Sequence, residues 1–248
     1  MNPLDIDRLR RAFPGRRIDY YAAIDSTMQA AAGRQPGAVV VAERQTAGQG
    51  RFGRSWHSEP GAGIYCSLVL EPMRVLTLAL GLAAQSAILE ATGIHCDLRW
   101  PNDLLLDDKK VAGILVQLSG DKAIAGIGIN VSNQSFPPGL EATSLALWGR
   151  HSRQSPGFYP AWSDARELIL LALLPAIDRF TQLDMPSILR LFTQASTYVR
   201  GRRVVVHQAG GAIEGVTAGL DPAGFLVVRQ DNGTDTLVLA GGVRAAGS

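Results

Sequence analysis

The sequence has few of the residues that mark secreted or metal-binding proteins. It contains only two cysteines and four histidines. Cys66 and Cys96 lie in apolar segments, where a thiol is usually a small buried hydrophobic group. The histidines are scattered and show no metal-ligand spacing. We therefore expect a reduced, cytoplasmic protein without disulfides and without a metal site made of its own side chains.

An excess of one charge and long apolar runs are also missing. The chain carries 24 basic and 22 acidic residues, a net charge of +2, which excludes a broad field for nucleic acid or membranes. The longest apolar stretch, residues 75–89, is interrupted by Thr77, Gln85 and Ser86, which indicates a buried helix rather than a membrane span. Only about seventeen residues precede the first predicted strand, too few for a three-helix DNA-binding domain. We expect neither DNA binding nor membrane insertion.

What the sequence does have is a glycine-rich loop between two predicted strands. Its glycines, Gly48, Gly50 and Gly53, permit backbone conformations that expose N–H groups. Arg51 and Arg54 add fixed positive charge. The composition of this loop is that of a site for an anion.

The spacing of the loop, residues 48–55, fits the dinucleotide fingerprint and, apart from Arg54, the P-loop. Both of those motifs must open a helix, because the helix N-terminus meets the phosphate. Here the chain continues into an apolar segment, residues 64–70, that is typical of a strand. We interpret the loop as an anion site between two strands. On this segment alone, a surface loop with solvated arginines stays open as the alternative.

Apolar periodicity, caps and turn residues predict a mixed α+β architecture. Helices are predicted at residues 5–13, 28–33, 75–92, 161–180 and 186–195, and strands at 18–24, 38–43, 64–70, 94–100, 104–106, 110–117 and 123–131. From residue 198, short strands at 203–206, 212–220, 225–228 and 236–239 alternate with glycine-containing turns and predict a small all-β barrel. We therefore predict one domain over residues 1–197 and a second over 198–248.

A bend followed by a hairpin forms the second informative stretch. Pro101 prevents a simple strand continuation, so the chain bends with the Asp103 carboxylate held in place. A hairpin follows, and the strand period places Lys110 on one face with the even-numbered residues after it. A lysine there is usually a solvated charge at the sheet rim.

Glycines inside the last strand of this sheet suggest close approach of a ligand. Gly126 and Gly128, with Gly113 on the neighbouring strand, predict a flat apolar floor for a small ring, and Asn130 is a polar group at its end. A bulge or a tight helix contact is the alternative. Further upstream, Ser26 and Thr27 fit a helix N-cap and could also bind a polar ligand.

Together these motifs resemble those of biotin protein ligases (biotin–acetyl-CoA-carboxylase ligases). The resemblance rests on four segments: Asp25-Ser26-Thr27; the glycine loop, residues 48–54; Arg99-Trp100-Pro101-Asn102-Asp103 followed by Lys110-Val111-Ala112-Gly113-Ile114-Leu115; and Gly126-Ile127-Gly128-Ile129-Asn130-Val131. It implies a mixed β-sheet with packed helices and a C-terminal SH3-like barrel. It also implies formation of biotinyl-5′-AMP from biotin and Mg-ATP, followed by transfer of biotin to a lysine of a biotin carboxyl carrier protein, a subunit of acetyl-CoA carboxylase.

The resemblance assigns roles by position. It implies catalytic roles for Lys110, Arg51 and Asp103. The biotin-binding residues that it implies are Ser26, Thr27, Met28, Gln45, Gln49, Gly50, Arg51, Lys110, Gly113 and Gly126. Those that it implies for ATP and the adenylate are Gly48, Arg51, Arg54, Trp56, Asp103, Lys110 and Asn130. Mg²⁺ is expected to arrive with the nucleotide, the glycine loop to become ordered over bound ligand, and the protein to be a monomer or homodimer.

Three positions depart from the family pattern. Met28 stands where Asn is common, Gln49 where Arg is common, and Arg99 where Lys is common. The first two change the contacts expected to biotin and to a phosphate. A lipoate–protein ligase of the same fold and a non-catalytic biotin-sensing regulator remain as alternatives. A thiol-dependent octanoyltransferase fits less well, because both cysteines lie within predicted strands.

Overall fold

The computed structural model describes residues 3–151, 161–208 and 211–246. The helices are α1 (Ile6–Ala12), α2 (Thr27–Ala32), α3 (Leu76–Thr92), α4 (Leu145–His151), α5 (Trp162–Thr181) and α6 (Met185–Ala195). The strands are β1 (Ile18–Tyr21), β2 (Val39–Ala42), β3 (Gly63–Leu70), β4 (Asp97–Arg99), β5 (Asp103–Leu106), β6 (Lys109–Ser119), β7 (Lys122–Asn130), β8 (Arg200–Gln208), β9 (Gly211–Leu220), β10 (Leu226–Arg229), β11 (Asp235–Val238) and β12 (Gly242–Ala245).

A mixed seven-stranded sheet, in the order β1-β2-β3-β7-β6-β5-β4, forms the centre of the fold. β1 and β2 run parallel, and the other neighbouring strands run antiparallel. Alternate residues of β2 face opposite sides: Val39 and Val41 join the main core, where α3 packs with α5 and α6, and Val40 packs beneath α2. The predicted α+β class is confirmed. Because α2 is short, much of its side of the sheet is left for a loop to cover.

The β5–β6 hairpin is confirmed, but its register changes the position of one predicted site residue. Its turn residues, Asp107 and Asp108, both have left-handed backbone angles, as a two-residue hairpin requires. The pairing shifts between Leu104 and Leu105, so that Val111 is an extra residue on β6. This bulge turns Lys110 toward the side of β6 that faces α2. The prediction that Lys110 shares a face with the even-numbered residues after it is therefore wrong.

The C-terminal strands form a separate five-stranded antiparallel sheet, in the order β11-β10-β9-β8-β12, consistent with the predicted SH3-like barrel. Strand β12 and helix α4 were not predicted. Hydrogen bonds between the connecting segments of the two sheets link them: Trp100 Nε1 donates to Gly224 O at 3.0 Å, and Tyr198 Oη donates to Asp108 at 2.7 Å. Across the described residues, every helix is too short or too polar to cross a bilayer.

Candidate functional site

Two adjoining cavities lie where the glycine loop covers the side of the sheet that faces α2. The smaller one, about 40 Å³, lies between α2, β6, β7 and the loop. The larger one, about 530 Å³, lies between the loop, the bend at residues 99–103, the segment 139–142 and the segment 241–244 that contains β12. The residues that line both cavities are Gly50, Arg51, Trp56, Asn102 and Lys110. Two cations therefore lie at the boundary between the cavities.

Hydroxyl and amide groups form the polar end of the smaller cavity. Gln45 Oε1 accepts from Thr27 N at 2.9 Å and from Thr27 Oγ1 at 3.0 Å. Ser67 Oγ lies 2.8 Å from Thr27 Oγ1 and is the donor, because the Thr27 hydroxyl proton points to Gln45. Next to Thr27, but outside the lining of the cavity, Ser26 Oγ is buried without a hydrogen-bond partner among the described residues. This end of the cavity can bind a ligand that both donates and accepts hydrogen bonds.

Glycines form the floor of the smaller cavity, as predicted, but two side chains of the chain itself lie on it. The indole of Trp56 packs on Gly128, where an added Cβ would lie 2.4 Å from Trp56 Cε2. The thioether of Met28 packs on Gly126, where an added Cβ would lie 2.8 Å from Met28 Sδ. Ligand pockets usually enclose roughly 300 Å³ or more, so the small volume here follows from the indole that fills the space above the floor.

Lys110 is held at the boundary of the two cavities by a partly buried carboxylate. Its Nζ lies 2.5 Å from Asp103 Oδ1, and Asp103 Oδ2 accepts from Arg99 at 2.8 Å. Burial raises the pKa of the Asp103 carboxyl, but the charges of Lys110 and Arg99 outweigh burial and hold this pKa below its ordinary value. The Lys110 ammonium also lies 5.4 Å from the centroid of the Trp56 ring. Asp103 is ionised at neutral pH and fixes the lysine in place.

The glycine loop supplies the second cation. Arg51 begins a single 3-10 turn that ends at Gly53, with Phe52 in the left-handed region at φ 58°. The Arg51 guanidinium donates to Asn102 Oδ1 at 3.0 Å and to Gly241 O, in the C-terminal region, at 3.4 Å. Burial lowers the pKa of Arg51, but an arginine remains charged at neutral pH. The loop therefore presents a desolvated positive charge toward both cavities.

The larger cavity has the size of a nucleotide site and is closed on one side by the C-terminal strand β12. Arg54, Trp56, Asp103 and Asn130 line it, together with residues from the C-terminal region. Asn130 is buried and donates from Nδ2 to Thr143 O at 3.1 Å, which leaves its carbonyl oxygen as an acceptor. The cavity therefore combines Arg51 and Arg54 from the loop with the carboxylates of Asp103 and Glu141 and the amides of Asn102 and Asn130.

The structure brings most of the predicted site residues together. The smaller cavity is lined by Thr27, Met28, Gln45, Gln49, Gly50, Arg51, Lys110, Gly113 and Gly126, and the larger by Arg51, Arg54, Trp56, Asp103, Lys110 and Asn130. Ser26 and Gly48 line neither cavity, although each is next to residues that do. Their roles in binding stay predictions.

Sequence reasoning missed several residues that line the larger cavity. Asn102 was assigned only to the bend, although its amide oxygen accepts from Arg51. The C-terminal region contributes His207, Gly241 and Arg244, and Arg244 lies 3.6 Å from Glu141 on the opposite wall. No local motif marks these positions: His207 lies on β8, and Gly241 and Arg244 lie beside and on β12, which pairs with β8.

Comparison with known proteins gives related families and structures. A profile described as the biotin/lipoate A/B protein ligase family matches residues 20–133. The biotin–[acetyl-CoA-carboxylase] ligase of Paracoccus denitrificans is 30% identical over 239 residues, which cover 88% of this chain and 97% of that protein. The bifunctional ligase/repressor BirA of Bacillus subtilis is 39% identical over 158 residues, 56% of this chain and 49% of that protein. The chain thus spans about half the length of the Bacillus relative.

A solved structure agrees with these sequence relationships. The biotin protein ligase from Aquifex aeolicus, in complex with biotin and ATP, superposes with a TM-score of 0.77 at 29% identity, covering 93% of this chain and 99% of that chain. The Paracoccus ligase is matched over nearly its whole length. On these grounds the chain belongs to the biotin protein ligase family.

Proposed function

We propose that the chain is an ATP-dependent biotin–protein ligase. In the first step, an oxygen of the biotin carboxylate attacks the α-phosphorus of ATP, and pyrophosphate leaves. In the second step, a lysine amine of a carrier protein attacks the acyl carbon of biotinyl-5′-AMP, and AMP leaves. The observation that carries this proposal is the position of Lys110 and Arg51, which line both the smaller and the larger cavity.

The first step brings together two anions that repel each other. A site that catalyses it must neutralise both and hold them in line. Lys110 is a compact charge between the two cavities, and Arg51 can bind phosphate oxygens through its planar fork of donors. The chemistry needs no protein nucleophile. Burial raises the pKa of the Cys66 thiol to about 12, so this cysteine is not activated as one.

The polar end of the smaller cavity favours biotin over lipoate. Thr27 and Gln45 provide hydrogen-bonding groups there, and the ureido ring of biotin both donates and accepts hydrogen bonds. The dithiolane ring of lipoate has no N–H or C=O group to satisfy them, and an unpaired buried polar group is costly. For biotin to occupy the glycine floor, the Trp56 indole must leave its present position. The loop that carries Trp56 is then the element that opens and closes the site.

The larger cavity would hold the nucleotide, with Mg²⁺ entering on its phosphates. Asp103 and Asn130 offer the oxygen atoms that Mg²⁺ prefers. Asp103 is already paired with two cations, and the described residues contain no cluster of three or more His, Cys, Asp or Glu that could hold a metal by itself. These residues fit a metal that is held largely by phosphate oxygens, and the metal would neutralise charge on the leaving pyrophosphate.

We further propose a biotin carboxyl carrier protein of acetyl-CoA carboxylase as the acceptor, because the relatives from Paracoccus denitrificans and Mycobacterium tuberculosis are biotin–[acetyl-CoA-carboxylase] ligases. The chain would be divided at residues 197 and 198 into a ligand-binding domain and a barrel. The second sheet, which begins at Arg200, supports this division.

The decisive experiment is incubation of the purified protein with Mg-ATP and either biotin or lipoate. We expect pyrophosphate release with biotin and little with lipoate, and transfer of biotin to a purified carrier domain but not to the same domain with its acceptor lysine changed to arginine. Equal release with lipoate would favour a lipoate–protein ligase. Biotin binding without pyrophosphate release would favour a sensor.

A further inference from the structure

A buried arginine on α5 contacts the residues on either side of the segment 44–62, the ligand-binding loop, which contains the glycine loop. Arg166 is only 2% exposed. Its Nε donates to Gly63 O at 2.9 Å, and its Nη2 pairs with Glu43 Oε2 at 2.5 Å. Arg166 lines none of the cavities of the site, so whatever it does for a ligand it must do through these two partners.

The two partners, Glu43 and Gly63, are the residues that flank the ligand-binding loop, and we call them its stems. Glu43 directly follows β2, and Gly63 is the first residue of β3. Between them lies the segment 44–62, which carries Gln45, Arg51 and Trp56. One guanidinium therefore fixes the separation of the two points from which this segment leaves and rejoins the sheet.

The carboxylate of Glu43 is satisfied on both oxygens. Its Oε1 accepts from Leu4 N at 2.8 Å and from Tyr20 Oη at 3.1 Å, and its Oε2 accepts from Arg166. The backbone of Glu43 is held as well, since its carbonyl accepts from Gly61 N at 3.1 Å. These contacts tie the first stem of the loop to the N-terminal segment, to β1 and to α5 at once.

The second stem is equally constrained. Gly63 pairs with Asn130 across β3 and β7, and a Cβ at this position would lie 2.8 Å from Ile129 O. Arg166 therefore holds the strand position opposite Asn130, a residue that lines the larger cavity. A shift of Gly63 would move both the loop and the backbone beside that cavity.

A buried ion pair of this kind is a weak source of net stability. The cost of desolvating two charges offsets most of their attraction, so that replacing such a pair with apolar residues is often neutral. α5 already packs on α3 through Ile169, Leu170, Leu173, Leu174 and Ile177 and does not need a charge for that purpose. What the pair provides is one fixed geometry, because the arginine fork fits only one relative placement of Glu43 and Gly63.

We propose that Arg166, acting through Glu43 and Gly63, is a positioning residue for the ligand-binding loop. This inference rests on the proposed biotin–protein ligase activity. Arg166 does not touch a substrate. It sets the stems from which Gln45, Arg51 and Trp56 approach the ligand.

The test uses the double variant Glu43→Gln/Arg166→Met, which removes both charges and keeps an acceptor for Leu4 and Tyr20. The matched control is Arg16→Met/Asp178→Asn, which removes an ion pair at 2.7 Å between α5 and the turn after α1, away from the loop. For each protein we would measure the melting temperature, the KM for biotin and kcat in pyrophosphate release, and the rate of tryptic cleavage after Arg51 and Arg54 without ligand.

We expect the double variant to melt within a few degrees of the control. Its KM for biotin should rise about 10-fold to 100-fold, because the binding groups on the loop are misplaced. Trypsin should cleave its loop faster than that of the parent. Arg166→Lys should lie between parent and double variant, because one ammonium cannot reproduce the two-pronged contact. If the double variant does not fold, the same three measurements on Arg166→Lys test the positioning role of Arg166.

Parent-like KM and loop cleavage in a folded variant would overturn the inference, as would losses that the control reproduces. These outcomes are separable from failure of the proposed function. If the parent itself releases no pyrophosphate with biotin, the ligase activity is wrong, and the comparison of loop cleavage still tests the positioning role.

Discussion

The Lys110 ammonium lies 2.5 Å from Asp103 Oδ1, and the opposite oxygen of the same carboxylate accepts from Arg99. Asp103 thus shares its charge between two cations, so that Lys110 is not fully neutralised. A substrate carboxylate or phosphate can approach the lysine and neutralise the rest of its positive charge. This arrangement places a fixed, partly uncompensated positive charge at the boundary between the two cavities.

Replacement of Lys110 by alanine should abolish the first step of the reaction. Removal of one preorganised charged donor costs roughly 100-fold to 1000-fold in rate, so we expect pyrophosphate release to fall by at least about 100-fold. The side chain of Lys110 is 27% exposed, and the variant should therefore fold, as circular dichroism would show. Lys109→Ala, an exposed neighbour on the same strand, is the control and should keep the parent rate.

Asp103 should make the stability of the protein depend on acid pH. The pKa of its carboxyl is lowered in the folded state, so its contribution is present above the unfolded pKa, about 3.9, and is lost as the pH falls through the folded value. Asp103→Asn lacks this contribution at every pH. We expect the melting-temperature difference between parent and Asp103→Asn to be constant from pH 7 to about pH 5 and to shrink below pH 4. A difference that grows on acidification would contradict this linkage.

An alanine at Gly128 should disturb both the indole and the ligand floor. The new Cβ would lie 2.4 Å from Trp56 Cε2, and overpacking of this kind typically costs about 1–3 kcal/mol. We expect a lower melting temperature and at least about tenfold weaker binding of biotin, measured by calorimetry.

Two further variants isolate the cause of this effect. Trp56→Phe in the Gly128→Ala background removes part of the clash and should restore some of the melting temperature. Gly15→Ala places a methyl group in open space and should change neither quantity. If Trp56→Phe lowers stability further, the indole is not what the methyl group displaces.

The hairpin turn at Asp108 should affect nucleotide binding through the C-terminal barrel. Asp108 accepts from Tyr198 Oη and from Arg202 Nη2, both at 2.7 Å. The pair is partly exposed and contributes up to about 1 kcal/mol, so we expect Asp108→Gly, which keeps the left-handed turn, to raise the KM for ATP by at most about fivefold and to leave the KM for biotin unchanged. Asp231→Ala, which breaks an exposed pair with Arg203 inside the barrel, is the control.

The glycine loop should be protected by ligand. Arg51 and Arg54 are cleavage sites for trypsin within the loop, and we expect biotin with Mg-ATP to slow cleavage after both by roughly tenfold or more, because closure over ligand orders the backbone. Cleavage after arginines of the barrel, such as Arg229, serves as the internal reference. Equal rates with and without ligand would count against a mobile lid.

Local chemistry made much of the fold predictable. Apolar periodicity gave the sheet strands and α3, and the residues Asp107 and Asp108 gave the hairpin turn. Helix α4 was missed although it is as long as α1; the signal that could have marked it is the cap at Ser144, whose Oγ accepts from Leu147 N at 3.1 Å. Strand β12 was missed because it is held by pairing with a distant strand rather than by its own composition.

The composition of the candidate site was more predictable than its geometry. The loop, the bend and the glycine floor were each ambiguous alone and were recognised from their order along the chain. The face of Lys110 was predicted wrongly because a bulge at Val111 leaves no mark in the strand period. The packing of Trp56 on Gly128 joins positions far apart in sequence, and no local pattern encodes such a contact.

The guanidinium of Arg51 already has two partners, the side chain of Asn102 and the main chain of Gly241. An incoming phosphate would therefore exchange hydrogen bonds with a group that is already partly desolvated, instead of drawing a fully hydrated cation out of solvent. Folding of the polypeptide therefore already orders this arginine in part, and it does so through the residue that directly precedes β12. Loss of β12 and of Gly241 before it should therefore weaken anion binding, even if neither contacts the ligand.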